Sequence, residues 1–281
     1  MRKIGIIGYG YVGKAIERML SPHYSVRVWS PNSGTNTKDE INESDLAIVC
    51  VPTPMSEEFV ESDGIRFYRC DTSIVEESIA WITTPVILIK STVEIGTTDR
   101  LKEKYRKRIC FSPEYVGEGK YHVTPRMDFQ TDPSKTPFFI CGGDSKDCEY
   151  IFDLMVPVMG PEAHYVAMPA QDAEYIKLME NDYFAHKVIW ANEKRKIAKL
   201  LGINWYNVWE GWALDPRVDK MHTAVFREES GFTGKCLPKD MNSLAYTSIK
   251  AGYKPLMEIG MLKSNLEFRK INDYKNINNK S

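Results

Sequence analysis

The sequence predicts an α/β chain: a doubly wound parallel sheet first, then an all-helical part built on one long helix. Three observations carry that reading. Lys3-Ile4-Gly5-Ile6-Ile7 is an apolar run followed by Gly8-Tyr9-Gly10-Tyr11-Val12-Gly13 and then by apolar residues at helical spacing. Short apolar runs alternate with helical stretches as far as about residue 165, which is the rhythm of a parallel sheet with helices on its faces. From Gln171 to Leu201 there is neither Gly nor Pro, and Ala173, Ile176, Phe184, Val188, Ala191, Ala198 and Leu201 form a stripe that Gly202 ends.

The first unit is a strand over 3–7 and a helix that Ser21-Pro22 stops. Between them G-x-G-x-x-G stands where a dinucleotide needs it: the first Gly makes the turn, the second lets a pyrophosphate approach, and the third packs helix on strand. Gly8, Gly10, Tyr11, Val12 and Gly13 are therefore candidate cofactor residues of a Rossmann-like domain. Ser25–Trp29 is the second strand. At its end, where an acidic residue usually holds the adenosine ribose, stands Ser30. Residues 31–45 are polar and turn-rich, too short for a long crossover helix. Leu46–Val51 reads as a buried strand stopped by Pro52-Thr53-Pro54. A helix over about 72–81 precedes the strand 86–89, which runs into Lys90-Ser91-Thr92-Val93.

Strand ends facing the crevice carry the site in open α/β sheets, so Pro52, Thr53 and Thr92 join the candidates. Ile109–Phe111 leads into Ser112-Pro113-Glu114-Tyr115-Val116-Gly117-Glu118, a carboxylate on a strand end and a candidate to position water. Phe138–Gly143 reads as the closing strand. These features give a first domain over 1–165 and a helical domain over 166–271, with helices at 205–212, 237–251 and 255–271. Residues 272–281, rich in Asn and Lys, read as a disordered tail.

Composition narrows the function classes. Lys plus Arg number 37 against 38 Asp plus Glu, which removes bulk charge as a pointer to nucleic acid or membrane. No apolar run reaches spanning length, and a cytoplasmic chain is expected. The six cysteines show no C-x-x-C and the five histidines no ligand spacing, so thiols and no metal are expected.

The other chemistry-bearing stretch is Gly231-Phe232-Thr233-Gly234-Lys235-Cys236-Leu237-Pro238-Lys239-Asp240. A thiol with cationic neighbours at a helix N-terminus favours the thiolate, the nucleophilic form. On the long helix, Lys177 and Asn181 are one turn apart and share a face, a cation and an amide that can hold an oxyanion. A redox cofactor beside an activated cysteine points to oxidation through a covalent thiol adduct.

Taken in order, Gly8 to Gly13, Val51-Pro52-Thr53-Pro54, Ser91-Thr92-Val93, Pro113-Glu114-Tyr115, Lys177 with Asn181, and Gly231 to Asp240 closely resemble the UDP-glucose/GDP-mannose dehydrogenase family. The resemblance implies oxidation of the C6 alcohol of a nucleotide sugar to a carboxylate by two hydride transfers. In that scheme Cys236 attacks the intermediate aldehyde, Lys177 and Asn181 stabilise oxyanions, and Glu114 with Thr92 serves the hydrolytic water. Asp240 orients water and Lys177. NAD is the implied cofactor, and NADP stays open because Ser30 lacks the charge that repels a 2′-phosphate. Tyr115, Val116, Gly117, Glu118, Phe232, Lys235 and Arg217 are the implied substrate contacts, and a homodimer through the 171–201 helix is the implied assembly. The chain departs from the family at Thr233, where a Gly is usual, and at Lys235, where a Ser is usual. The family's C-terminal nucleotide-binding domain is not expected after residue 271. Two other readings stand beside this one: a two-electron alcohol dehydrogenase of the 3-hydroxyacid type, and a non-catalytic nucleotide-binding protein.

Overall fold

The computed structural model describes residues 1–117, 132–226 and 230–277. The chain divides into two compact units. Unit 1 comprises Met1–Pro54 and Asp71–Lys177, and unit 2 comprises Met55–Cys70 and Leu178–Ser281.

Unit 1 opens with β1 (Lys3–Ile7), α1 (Tyr11–Leu20), β2 (Ser25–Trp29), the short α2 (Lys38–Asn42) and β3 (Leu46–Val49). Helix α2 exists because Thr37 and Glu40 form a reciprocal capping box at its start, a local signal within the stretch expected to be irregular. The hairpin β4 (Met55–Ser62) and β5 (Ile65–Cys70) then leaves for unit 2. The chain returns as α3 (Ser73–Trp81), β6 (Val86–Ile89), α4 (Thr97–Tyr105) and β7 (Ile109–Phe111). It closes with β8 (Phe138–Gly142), α5 (Ser145–Met159) and β9 (His164–Met168).

These strands make one seven-stranded sheet in the order β2-β1-β3-β6-β7-β8-β9. The first five run parallel, whereas β8 pairs antiparallel to β7 through Phe111 and Gly142, and β9 is parallel to β8. The sheet is thus mostly parallel, and β9 forms the edge where β8 was expected to close it. β3 and β6 are buried along their whole length because helices cover both faces. Each Ile, Leu or Val so buried contributes about 1.5–3 kcal/mol.

Unit 2 takes most of the long helix α6 (Ala170–Leu200), then α7 (Trp205–Trp212), α8 (Leu237–Lys250) and α9 (Leu256–Arg269). Its core joins Phe67 and Tyr68 of the hairpin to Phe232, Met241, Tyr246 and Leu262. Unit 2 is therefore not all-helical: β5 packs on α8, and the Asn242 side chain accepts a hydrogen bond from the Tyr68 amide at 3.2 Å. The tail also differs from expectation. Tyr274 is 1% exposed, its hydroxyl donates to the Leu262 carbonyl at 2.8 Å, and the Tyr68 hydroxyl donates to Asp273 at 2.7 Å. One buried aromatic outweighs a polar composition. The expected domain boundary at 165 lies within β9, twelve residues before unit 1 ends on α6.

Among the described residues, no helix is long and apolar enough to cross a membrane.

Candidate active site

The glycine-rich turn is built from close approaches. Gly8 has φ +93°, and a Cβ there would lie 2.5 Å from the Cys50 carbonyl oxygen. A Cβ on Gly13 would lie 2.1 Å from the Gly8 carbonyl oxygen, so α1 can start directly against the end of β1 only without side chains. Gly10, the N-cap of α1, differs: a Cβ there would meet nothing within 4 Å. Open space faces a helix N-terminus whose first turn holds no acidic residue. That combination fits the pyrophosphate of a dinucleotide. Tyr11 is exposed and Val12 packs on the core beside it.

Ser30 starts a tight turn in which the Gly34 amide donates to its carbonyl at 3.1 Å. Ser33 Oγ lies 3.5 Å from Ser30 Oγ. Arg27, three residues before Ser30, is held by the Glu40 carbonyl and by Glu43.

Adjacent strand ends carry the next group. Thr53 is buried and its hydroxyl donates to the Thr92 carbonyl at 2.7 Å, while the Ser91 hydroxyl donates to Val51 at 2.8 Å. Pro52 stays exposed beside them.

Beyond β7, Glu114 is 8% exposed and fixed from two sides. Its Oε1 accepts the Tyr115 and Val116 amides, both at 2.8 Å. Lys90 Nζ approaches Oε2 at 3.5 Å while donating to the Pro113 carbonyl at 2.9 Å and Ser112 Oγ at 3.2 Å. Lys90 was not among the sequence candidates. The signal for it was a lysine at the end of a strand otherwise made of Val, Ile and Leu.

Lys177 Nζ lies 5.7 Å from the centroid of the Tyr115 ring, and that ring meets Phe138 edge-on at 5.0 Å. Three residues earlier on α6, Glu174 is fully buried and caps α4, accepting from the Gly96 and Thr98 amides and the Thr98 hydroxyl. Burial pushes its pKa up. This cap fixes the helix turn that presents Lys177. Val116 and Gly117 are half-buried, and Glu118 lies outside the described residues.

In unit 2, Cys236 is exposed at the N-cap of α8, with Pro238 in the first turn. Beneath it lies a buried polar group. Asp240, 1% exposed, accepts from Asn181 Nδ2 at 2.5 Å through one oxygen and from Lys239 Nζ at 2.5 Å through the other. The same ammonium lies 4.0 Å from Cys70 Sγ. Burial works against the Lys239 charge, but the Asp240 carboxylate and the Cys70 and Cys236 sulfurs hold its pKa above the ordinary lysine value.

The cysteine loop is clasped by Asn265, a residue the sequence gave no reason to single out. Its side chain accepts from the Phe232 amide at 2.8 Å and donates to the Phe232 carbonyl at 3.2 Å. A Cβ on Gly231 (φ +81°) would lie 2.4 Å from the same amide oxygen. The Phe232 ring itself is 4% exposed in the unit 2 core, so it anchors the loop instead of lining its surface. Lys235 is exposed. Arg217 is exposed too, but its guanidinium is paired with Asp215 two residues earlier at 2.6 Å.

Known proteins resemble this chain in sequence and in fold. Residues 16–125 match the NAD binding domain of the UDP-glucose/GDP-mannose dehydrogenase family, and residues 171–267 match its central domain. NAD is accordingly the cofactor of unit 1. The UDP-glucose 6-dehydrogenase of Campylobacter jejuni is 26% identical over 232 residues, covering 81% of this chain and 55% of that protein. The UDP-N-acetyl-D-mannosamine dehydrogenase of Methanocaldococcus jannaschii is 30% identical over 235 residues, covering 81% of this chain and 50% of that protein. This chain therefore spans about half the length of those relatives. The UDP-glucose dehydrogenase structure from Pyrobaculum islandicum superposes with a TM-score of 0.79 at 21% identity, over 96% of this chain and 69% of that one. With a glycine turn shaped for a dinucleotide, an exposed thiol heading a helix, and two family matches that together take in most of the sequence, the chain belongs to the UDP-glucose/GDP-mannose dehydrogenase family.

Proposed function

We propose that this chain oxidises the primary alcohol of a nucleotide sugar to the acid in two steps, through a covalent adduct on Cys236. The observation that carries the reading is the exposed thiol at the start of α8, set over the Asn181–Asp240–Lys239 group. A single hydride transfer from an alcohol, which leaves a carbonyl, needs no nucleophile, whereas oxidation of an aldehyde to an acid gains from one.

NAD, held at Gly8, Gly10 and Gly13 with Tyr11, Val12, Ser30, Pro52, Thr53 and Thr92 beside it, supplies the hydride acceptor. The chain's own groups do the rest. The Cys236 thiolate adds to the aldehyde carbon, and the oxygen gains negative charge that Lys177 and Asn181 neutralise. Oxidation of that adduct leaves a thioester on Cys236. Water then attacks the acyl carbon and the thiolate leaves, with Glu114 taking the water's proton and Thr92 helping to place the water. Asp240 keeps the Asn181 amide and the Lys239 ammonium in place.

Tyr115, Val116 and Gly117 with Lys235 and Arg217 are the proposed nucleotide contacts. Arg217 must exchange its Asp215 partner to serve. In this reading unit 1 is the cofactor-binding part and unit 2 the thiol-bearing part. A second copy of this chain, packed along residues 171–201, is the proposed partner: Tyr175, Met179, Tyr183, Trp190 and Ile197 of α6 are all exposed.

The test is an anaerobic incubation with NAD and either UDP-glucose or UDP-N-acetylmannosamine, measuring NADH per product. Two NADH per acid are expected. One NADH per ketone or aldehyde, with no acid, overturns the proposal in favour of a two-electron alcohol dehydrogenase.

A further inference from the structure

Unit 1 contains a second group of thiols that the proposed reaction does not use. Cys110 lies on β7, Cys141 on β8 and Cys148 in the first half of α5. Their sulfurs lie within 4.8 Å of one another, and all three residues are 0% exposed. They stand 31 and seven positions apart, so nothing in their spacing announces the cluster.

The three are linked, not merely adjacent. Cys148 Sγ donates to the Cys141 carbonyl at 3.4 Å. The backbone is cut away at one side: a Cβ on Gly143 would lie 2.6 Å from Cys110 Sγ. The surroundings are apolar, with Leu88, Phe139, Ile151 and Leu154 in the same core.

We infer that Cys110, Cys141 and Cys148 form a trithiol capture site for a trivalent, thiophilic element, of which arsenite is the accessible form. Geometry, ligand number and charge each support it. An atom centred in an equilateral triangle of that side is about 2.8 Å from each sulfur. Typical metal–thiolate bonds are near 2.3 Å, and arsenic(III), with its lone pair, sits above the plane of its sulfurs, so an inward shift of up to about 0.8 Å at each sulfur completes three bonds. Among the described residues, no His, Asp or Glu joins the cluster as a fourth ligand. That argues against zinc, whose structural sites take four. Three thiolates around a monovalent or divalent ion would also leave net negative charge in an apolar core, which is costly. A trivalent centre leaves none.

The step balances without an oxidant. Arsenous acid, As(OH)3, exchanges its three As–O bonds for three As–S bonds, and each thiol proton leaves with a hydroxide as water. Neither sulfur nor arsenic changes oxidation state. The neutral acid carries no charge into the core, but the sulfurs are covered, so uptake must await local opening around α5.

The test uses the full chain carrying Cys236→Ser, which removes the exposed thiol, under anaerobic, thiol-free reducing conditions. Native mass spectrometry after incubation with arsenite should show one adduct, heavier by one arsenic less three hydrogens. The uptake rate should level off as arsenite is raised, because opening limits it. Cys141→Ala and Cys148→Ala should reduce the adduct at least tenfold, whereas Cys50→Ala, at another buried thiol of the same core, should retain it. Alkylation after unfolding gives a readout that needs none of these core variants: Cys110, Cys141 and Cys148 should be protected by arsenite while Cys50 and Cys70 react. No adduct on the folded chain, an adduct that survives loss of Cys148, equal loss with Cys50→Ala, or retention of Zn2+ in preference to arsenite would each overturn the inference.

Discussion

Glu114 and Cys236 are held in opposite ways. The carboxylate is buried in unit 1, clamped by two amides of its own loop and by Lys90. The thiol is exposed in unit 2, and burial falls instead on the groups beneath it, Asp240 and Asn181. A group that must keep one orientation is served by fixed partners, while a nucleophile must be reachable and is tuned from below. The contrast means that damage at the two places should look different. Around Glu114, loss of function should come with loss of stability; at Cys236 the two should separate.

The largest effect is expected at Cys236 itself. Cys236→Ser should lower acid formation about a thousandfold, on the order of 4 kcal/mol in barrier. Its melting temperature should move by less than about 2 °C, because an exposed residue carries little packing. A matching loss of stability, seen by calorimetry, would erase the contrast.

Next comes Lys90→Met, which leaves the Glu114 carboxylate buried without its cation. A cost of about 3 kcal/mol in urea unfolding is expected, together with slowed acid release. Lys90→Arg should recover most of the stability. Asp240→Asn should cost a similar amount, because the Lys239 ammonium then lacks its counter-charge.

A smaller change is expected at the cofactor turn. Ser30→Asp should raise the ratio of kcat/KM for NAD over NADP about tenfold, on the order of 1.4 kcal/mol, by restoring a charge that repels a 2′-phosphate. An unchanged ratio would show that this turn does not read the ribose.

The smallest effect separates the units by pH. In unit 2, a hydrogen bond to Asp182 holds His186 near 8, above its unfolded value of 6.5. Its contribution is complete below 6.5 and lost as pH rises through 8. Burial, then Lys187, holds His222 near 4, so its contribution is complete above 6.5 and lost as pH falls through 4. Unit 2 should thus be most stable near pH 6.5, falling by about 1 kcal/mol on each side after solvent screening. Hydrogen exchange on α6 and α8 across that range would read it, and a flat profile would count against both assignments.

How much of this was legible in the sequence depended on how local its cause was. The Gly8–Gly13 turn, the strands β1 to β3 and the long α6 are written in neighbouring residues, so pattern alone places them. The hairpin 55–70 is not, because Met55–Ser62 has no clean alternation and gains its place from α8, more than 170 residues away. Tyr274 was hidden by its polar neighbours for the same reason. Within the candidate site, Cys236 and Asp240 share a helix turn and could be read together, but Lys90 with Glu114 and the clasp by Asn265 are pairings across distant segments. The cluster of Cys110, Cys141 and Cys148 is the strongest case: three ordinary core thiols in sequence become one site only when β7, β8 and α5 pack.

The covalent role of Cys236 is the central claim, and intact-mass measurement of Glu114→Gln mixed with NAD and a UDP-sugar tests it most directly. If water attack is slowed and the thiol is the nucleophile, one sugar-nucleotide acyl group should accumulate on the chain, and peptide mapping should place it on Cys236. Acid released at the unaltered rate with no mass added, or an adduct mapped to another residue, would contradict the account.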